Sequence, residues 1–256
     1  KYNKKLDADI ILLEVDEKTL KNIKDYIKPS HILITNFFRD QLDRYGEIDM
    51  IINEIIESIN ELDAKVFLNG NDPLQVFRFE KCTSHIEYYG INKHDHVTEG
   101  TENIIEIKYC PHCVTELHYN YYHYGHIGNY ECTNCDFKEK DLRTSMNISF
   151  EDNNIEVRGN KINVNVKDFP VYFYFNIVSA LSVIEDLNVE YVDALDNLLN
   201  TFEFPQGRNQ HIRVGEKEVY FNLAKNVVGF EETIEYLVDN YDDFSILIAF
   251  NDEPAD

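Results

Sequence analysis

Short apolar runs alternate with helically spaced apolar residues through the first part of the chain. The run at 31–35 reads HILIT, and DIILLEV at 9–15 and KVFLN at 65–69 are two more. Each of these runs ends in polar or acidic residues. Short, wholly apolar strands joined by helices are typical of a parallel sheet covered by helices on both faces.

Between these runs, apolar residues recur at helical spacing. Leu20, Ile23 and Ile27 lie on one helical face, and Pro29 ends that helix. The next helix is the clearest in the chain, because its apolar residues recur at intervals of three and four. These residues are Ile48, Ile51, Ile52, Ile55, Ile56, Ile59 and Leu62.

The middle of the chain changes from helical to alternating patterns. Asn-Asp-Pro at 71–73 predicts a turn into a short helix at 74–79, and HIEYY at 85–89 predicts a strand that Gly90 ends. Further on, NISF, NIEVRG and KINVNVKD alternate apolar and polar residues with period two. They predict a small antiparallel element with a tight turn at 159–160.

Two more helices and a second α/β unit complete the predicted organisation. Apolar residues have helical spacing at 175–187 and at 191–202, and the segment FEFPQGRNQ follows as a linker. A hairpin, a helix at 230–241 and the apolar run FSILIAF come after it. The pattern therefore predicts an α/β domain at 1–202 and a truncated α/β domain at 203–256.

Polar side chains follow three successive predicted strands. Glu14 closes the first run, Asn36 follows the second and Asn69 ends the third. The carboxyl ends of parallel strands share one edge of a sheet, where ligands bind. Carboxylate and amide oxygens suit magnesium and its phosphates, so the pattern indicates a metal–nucleotide site. The plainer interpretation, that loop ends are simply polar, explains the same residues.

Charge and length narrow the class of protein. The chain has 256 residues, with 47 acidic against 24 basic, and a formal net charge of −23. This balance argues against a nucleic-acid binder and against residence on anionic membranes. We find neither an apolar run of membrane-spanning length nor a signal peptide, which favours a cytoplasmic protein. Because apolar runs lie close to both ends, we expect the chain to be part of a longer protein.

Four cysteines form two C-x-x-C pairs, Cys110 with Cys113 and Cys132 with Cys135. The spacing is that of a zinc ribbon at about 104–143, with a closed and therefore structural Zn²⁺ site. Cytosolic conditions disfavour disulfides. Cys82 stands apart as an inert thiol. The same segment holds histidines that are alternative ligands: His112, His118, His123 and His126.

Several of these segments together resemble one family. They are TNFFRDQLDRYGE at 35–47, FLNGNDP at 67–73, Phe-Asn-x-x-Ser-Ala-Leu at 175–181, FNLAKNVVGF at 221–230 and the four-cysteine insertion. The chain resembles, over essentially its whole length, the MurT subunits of lipid II isoglutaminyl synthase, which are relatives of the Mur ligases.

The resemblance implies a fold and a reaction. The fold would be a Mur ligase-type central ATP-binding domain with a mostly parallel sheet and an inserted zinc ribbon. The enzyme would use ATP and Mg²⁺ to phosphorylate the α-carboxylate of D-glutamate in lipid II at the inner face of the membrane. A GatD glutaminase partner would supply ammonia, and the product would be D-isoglutamine.

The resemblance also assigns roles to residues. Glu14 matches the family's magnesium ligand and Asn176 the asparagine that binds adenine. Asn36 lies in the loop beside the phosphates, and Arg208 matches an arginine that reaches them in relatives. Asp40 and Asp43 lie in the same loop beside the phosphates, and Gln41 holds the position of a metal-associated histidine in many Mur ligases. The resemblance leaves structure and function open at Asn69, Asp72, Arg208, Lys225 and Asn226.

Two parts of the family pattern are absent from the sequence. The phosphate-binding G-x-x-x-x-G-K-[ST] loop does not occur, and the family's catalytic aspartate would follow Asp256. We therefore expect that this chain alone does not hydrolyse ATP. Two other functions remain as alternatives: a catalytically inert Mur-like scaffold, or a binding module built on the zinc ribbon.

Overall fold

The computed structural model describes residues 8–16, 19–37, 48–99, 107–224 and 226–249. Within these ranges the elements run in the following order. They are α1 (Thr19–Ile23), β1 (His31–Leu33), α2 (Ile48–Asn60), β2 (Lys65–Asn69), α3 (Pro73–Arg78), β3 (Ile86–Ile91), β4 (Leu117–Tyr124), β5 (Ile127–Cys132), β6 (Thr144–Ser149), β7 (Asn154–Val157), β8 (Asn160–Asn163), α4 (Val171–Asp186), α5 (Val192–Thr201), β9 (Gln210–Val214), β10 (Lys217–Phe221) and α6 (Val227–Asn240).

The central sheet has the strand order β1-β2-β3-β6-β7-β8. The pairs from β1 to β6 are parallel, and β6, β7 and β8 pair antiparallel. The predicted α/β class with a mostly parallel sheet is confirmed. The antiparallel strands are not a separate element as predicted, because β6 pairs with β3 and so extends the main sheet.

Helices cover both faces of this sheet. Val66 and Leu68 on β2 pack with α2, whereas Phe67 between them packs with α4 on the other face. Alternate side chains of a strand point to opposite faces, so an unbroken apolar run is what a doubly covered strand requires.

The isoleucine stripe of α2 is buried as predicted. Ile52, Ile55, Ile56 and Ile59 are all at most 5% exposed, and they form one core cluster with β2. Each fully buried isoleucine contributes roughly 2 kcal/mol from the hydrophobic effect. This stripe is therefore the main contact between α2 and the sheet.

Gly90 lies inside β3 and does not end it, contrary to the prediction. A Cβ atom at Gly90 would meet the side-chain oxygen of Asn71. That oxygen accepts a hydrogen bond of 2.8 Å from the backbone nitrogen of Ile91. Glycine is needed here because a neighbouring side chain occupies the space of its missing Cβ.

Two predicted strands are absent from the described residues. The run at 9–15 and the described part of FSILIAF at 244–249 are both irregular, with Leu12 93% and Leu247 95% exposed. The prediction was wrong for both because a strand is stabilised by its neighbours, and neither run pairs with the sheet in the described chain. Residues 38–47 lie outside the described part of the chain.

The inserted ribbon is built on the hairpin of β4 and β5, between β3 and β6 in the sequence. It has its own core cluster, which includes Tyr119 and Tyr130 and contacts Val76 on α3. A second hairpin, β9 with β10, leads into α6. Among the described helices, none has the length and apolarity to cross a membrane.

Candidate functional site

The orientation of α4 shows which end of this helix lies near the carboxyl ends of the strands. Asp186, the last residue of α4, lies 3.0 Å from His31 and also binds Lys65, which are the first residues of β1 and β2. The hydrogen bond from Lys65 lowers the pKa of Asp186 to about 2. Because the carboxyl end of α4 meets the amino ends of the strands, its amino end lies toward their carboxyl ends.

Asn36 and Asn176 both belong to this carboxyl-end side of the sheet. Asn36 follows β1 and is exposed. The hydroxyl of Tyr89 donates to the carbonyl oxygens of Ile34 and Thr35, which fixes the backbone just before Asn36. Asn176 lies in the second turn of α4 and is exposed. The topology thus brings the two asparagines to the same edge, as the nucleotide hypothesis requires.

The linker that carries Arg208 also packs on α4. The side-chain nitrogen of Asn209 donates to the hydroxyl of Tyr172 over 2.6 Å. Tyr172 precedes Asn176 by four residues and so shares its helical face. Arg208 is exposed, with a 3.3 Å hydrogen bond to the carbonyl of Leu223. A guanidinium therefore lies beside the face of α4 that presents Asn176.

Other predicted positions are placed differently. Glu14 is exposed in an irregular segment that does not pair with the sheet among the described residues. Asn226 caps α6 by accepting a 2.8 Å hydrogen bond from the nitrogen of Gly229, which is a structural role. The remaining predicted positions fall outside the described residues: Asp40, Gln41, Asp43 and Lys225.

The segment from Asn69 to Asp72 is buried and internally bonded. Asp72 is fully buried, and its Oδ1 accepts from the nitrogens of Leu74 and Gln75 as the N-cap of α3. The same oxygen lies 3.2 Å from Nε2 of His126 on the ribbon hairpin. These contacts make Asp72 a capping residue that anchors the ribbon.

Glu139 bridges the ribbon and the central domain. Its carboxylate accepts hydrogen bonds from the side-chain nitrogens of Asn71 and Asn129. Burial raises the pKa of Glu139 to about 7. Nothing in the sequence pattern pointed to Glu139, and His126 was considered only as an alternative zinc ligand, because the contacts of both residues depend on how the ribbon packs on the domain.

We expect Glu139 to make stability depend on pH near neutrality. A carboxyl group whose pKa is higher in the folded chain than in the unfolded chain stabilises the fold most at pH values below its pKa in the unfolded chain. This contribution is lost as the pH rises through about 7, the pKa of Glu139 in the folded chain. Urea unfolding of Glu139→Gln should therefore show a smaller loss of stability between pH 5 and pH 8 than the wild type. The matched control is Glu131→Gln, at an exposed position on the ribbon. An unchanged pH dependence in Glu139→Gln would contradict this assignment.

The four cysteines meet at one point, which confirms their predicted grouping. All four Sγ atoms lie within 4.8 Å of one another. Cys110 and Cys135 are 3.4 Å apart, as are Cys113 and Cys132, and the thiols are not joined as disulfides. Tetrahedral zinc with bonds of about 2.3 Å places its sulfurs about 3.8 Å apart, so small shifts would fit the ion.

The surroundings of the cysteines also suit a metal. The hydroxyl of Thr115 lies 3.4 Å from Sγ of Cys113, and this contact is the main cause that lowers the pKa of Cys113 to about 5. The backbone nitrogen of Asn134 donates to Sγ of Cys132 over 3.4 Å. Donors that stabilise thiolates orient them as metal ligands. His112 and His126 instead bond to Glu80 and Asp72, outside the cysteine group.

The fold is similar to that of a solved ligase. A pseudomurein peptide ligase type C from Methanothermus fervidus matches 87% of this chain and 44% of its own, with a TM-score of 0.64 and 23% identity. The chain therefore has the α/β fold of this class of peptide ligase. No protein-family model matches the sequence.

Curated relatives identify the family more closely. MurT subunits of lipid II isoglutaminyl synthase (glutamine-hydrolyzing) from Staphylococcus aureus and Streptococcus pneumoniae are 32% and 31% identical to this chain. The alignments cover 96% and 98% of the chain and 56% of each relative. Over almost its whole length the chain is similar to MurT subunits, and it spans little more than half the length of these relatives.

Proposed function

We propose that this chain is part of an ATP-dependent amide ligase subunit of peptidoglycan synthesis. The subunit activates the D-glutamate α-carboxylate of the lipid II stem peptide as an acyl phosphate. Ammonia from a GatD-type glutaminase partner then displaces the phosphate and gives D-isoglutamine. A carboxylate is a poor electrophile, and phosphorylation supplies the leaving group that amidation needs.

The observation that best supports this proposal is that Asn36 follows β1 while Asn176 lies on α4, whose residue Tyr172 bonds Asn209 next to Arg208. We assign Asn176 to adenine, since a carboxamide both donates and accepts hydrogen bonds as the adenine edge does. We assign Asn36 and Arg208 to the nucleotide phosphates, where a guanidinium offsets negative charge.

We keep Glu14 as the proposed magnesium ligand. β1 is the edge strand of the described sheet, and the run at 9–15 is apolar throughout its middle. The run does not pair with β1 in this structure, so the assignment of Glu14 rests on its match to the family's magnesium ligand. The metal would neutralise phosphate charge. Zinc, held by the four cysteines, has a structural role in this proposal.

The proposal is tested by amidation of lipid II. The assay uses a protein of the relatives' full length that contains this chain, together with its GatD partner, glutamine and ATP. We expect ATP-dependent D-isoglutamine, and Asn176→Ala should raise KM for ATP about tenfold through lost adenine hydrogen bonds. Asn197→Ala, at an exposed position on α5, is the matched control and should leave KM unchanged.

The possible outcomes separate two claims. If the protein of the relatives' full length shows no ATP-dependent amidation together with its GatD partner, the ligase function is contradicted and an inert scaffold is favoured. Amidation with an unchanged KM for ATP in Asn176→Ala would instead show that adenine binds elsewhere.

A further inference from the structure

Gln75 on α3 is a buried residue whose side-chain amide bonds to the backbone of two other segments. It is 0% exposed. Its Oε1 accepts a hydrogen bond of 3.0 Å from the backbone nitrogen of Asn69, the last residue of β2. Its Nε2 donates over 3.1 Å to the carbonyl oxygen of Thr35, which follows β1. One amide thus joins the carboxyl ends of two neighbouring parallel strands.

These two partners require an amide at position 75. A backbone nitrogen can only donate and a carbonyl oxygen can only accept, so the side chain between them needs one acceptor and one donor. Glutamine supplies both, whereas leucine, of similar volume, supplies neither. A buried amide is costly unless it is hydrogen-bonded. The link between the two strand ends therefore explains why glutamine occupies this buried position.

A tyrosine hydroxyl strengthens the attachment of the segment after β1. Tyr89 on β3 is 1% exposed, and its hydroxyl donates to the carbonyl oxygens of Ile34 and Thr35 over 2.7 and 3.2 Å. The carbonyl of Thr35 thus accepts from two buried side chains of different elements. Because a peptide unit is planar, fixing this carbonyl also fixes the Cα atom of Asn36.

The chain is anchored again directly after Asn36. Phe37 is 6% exposed, and its ring centroid lies 6.2 Å from that of Phe79, the residue that follows α3. Gln75 and Phe79 are four residues apart, so the same side of α3 supports the chain before and after Asn36. Asn36 itself is exposed. An exposed side chain between two buried anchors is preorganised to contact a ligand.

The ribbon holds α3 from another side. Val76 on α3 belongs to the core cluster of the ribbon. Asp72, the N-cap of α3, lies 3.2 Å from Nε2 of His126 on the ribbon hairpin. The helix that carries Gln75 is therefore packed between the ribbon and the segment that contains Asn36.

We propose that Gln75 is a positioning residue of the nucleotide site. It holds the peptide before Asn36 so that the exposed carboxamide of Asn36 meets the nucleotide phosphates, and the hydroxyl of Tyr89 shares this role. The inference rests on the proposed function and adds to it two buried residues that act on the nucleotide through Asn36. The effect of replacing either residue therefore depends on the presence of the Asn36 side chain.

The kinetics of lipid II amidation test this role, in the protein of the relatives' full length with its GatD partner. Gln75→Leu removes the donor and the acceptor, and Tyr89→Phe removes only a hydroxyl. Each should raise KM for ATP about fivefold, against about tenfold for Asn36→Ala, whose proposed partner is a charged phosphate. KM for lipid II should stay unchanged. A merely structural loss would instead lower the amount of active enzyme and leave both KM values unchanged.

A double variant shows whether Gln75 acts through Asn36. Asn36→Ala combined with Gln75→Leu should have the same KM for ATP as Asn36→Ala alone, because residues that act as one unit are not additive. Asn154→Leu is the matched control, since it removes a buried amide, 5% exposed, on β7. Three strands separate β7 from β1 in the sheet, so KM for ATP should stay unchanged.

The outcomes distinguish this proposal from the ligase function. The positioning role is overturned, and the ligase function stands, if Asn36→Ala raises KM for ATP but Gln75→Leu and Tyr89→Phe do not. It is also overturned if Gln75→Leu raises KM by the same factor with and without the Asn36 side chain. An unchanged KM in Asn36→Ala would overturn the phosphate contact and the positioning role together, whereas absence of amidation in the wild type would contradict the ligase function itself.

Tyr89→Phe decides the question if Gln75→Leu does not fold. Loss of one hydroxyl leaves the shape of the buried ring unchanged, and the variant still lacks its hydrogen bonds to the carbonyls of Ile34 and Thr35. The same comparison with and without Asn36→Ala then applies. A fivefold rise in KM for ATP that disappears in the Asn36→Ala background supports the proposal, and an unchanged KM overturns it.

Discussion

Replacement of Cys132 by serine is expected to abolish zinc binding and unfold the ribbon hairpin. The four sulfurs already lie within one coordination sphere, and the ribbon core around them is small. Structural zinc supplies on the order of 10 kcal/mol to such a segment, which cannot be stable without it. Hydrogen exchange measured by mass spectrometry should show loss of protection in β4 and β5, and metal analysis should show loss of bound zinc.

The lone cysteine provides the matched control for this experiment. Cys82 lies outside the cysteine group, so Cys82→Ser should retain stoichiometric zinc and full protection of the hairpin. In Cys132→Ser, we also expect faster exchange around α3, because Val76 belongs to the ribbon core. A fully protected ribbon in metal-free Cys132→Ser would show that its aromatic core is sufficient by itself.

Asp72→Ala is expected to destabilise the chain by about 3 kcal/mol, through loss of a helix cap and of a buried partner for His126. The carboxylate of Asp72 is fully buried and accepts two backbone hydrogen bonds at the start of α3. Urea denaturation followed by far-ultraviolet circular dichroism gives the free energy of unfolding. Asp72→Asn keeps an acceptor oxygen and should be less destabilising than the alanine variant.

Asp63→Ala, at an exposed position after α2, is the matched control and should change stability by less than about 0.5 kcal/mol. If Asp72→Ala were equally mild, the cap would contribute little to stability. In that case ligand binding would explain the buried carboxylate of Asp72 better than helix capping. The resemblance of this segment to the Mur ligases left that role open.

Much of the fold was predictable because local pattern and burial agree. The isoleucines of α2 recur at helical spacing and are buried, and KVFLN became β2 with the predicted bounds. The sequence pattern gave wrong predictions where a structure depends on contacts with residues distant in the sequence. The run at 9–15 has every local feature of a strand, yet no described strand pairs with it. Gly90 was misjudged because the side chain that requires it, Asn71, comes from another loop.

The candidate site was predictable to a similar degree. The cysteine spacing indicated the four-cysteine group directly. The end of a strand indicated Asn36, whereas Asn176 came from the family resemblance, and the nucleotide roles of both residues stay predictions. Burial could not be read from the sequence. Asn69 and Asp72 look like ligand-facing polar residues, but both are buried, Asn69 bonded to Gln75 and Asn71, and Asp72 lying against His126 of the ribbon hairpin. Polar residues at a strand end can bind a ligand only if their hydrogen-bonding groups are not already bonded within the fold.

The position of the ribbon has a consequence for folding kinetics. β3 and β6 are hydrogen-bonded neighbours, yet residues 92–143 separate them in the sequence. Bringing distant strands together requires loop closure, whose entropic cost rises by about 0.6 kcal/mol for each doubling of loop length. Zinc bound by the two C-x-x-C pairs would cross-link residues 110–135 and so shorten this loop before the strands meet. We therefore expect zinc to speed the pairing of β3 with β6, in addition to stabilising the folded ribbon.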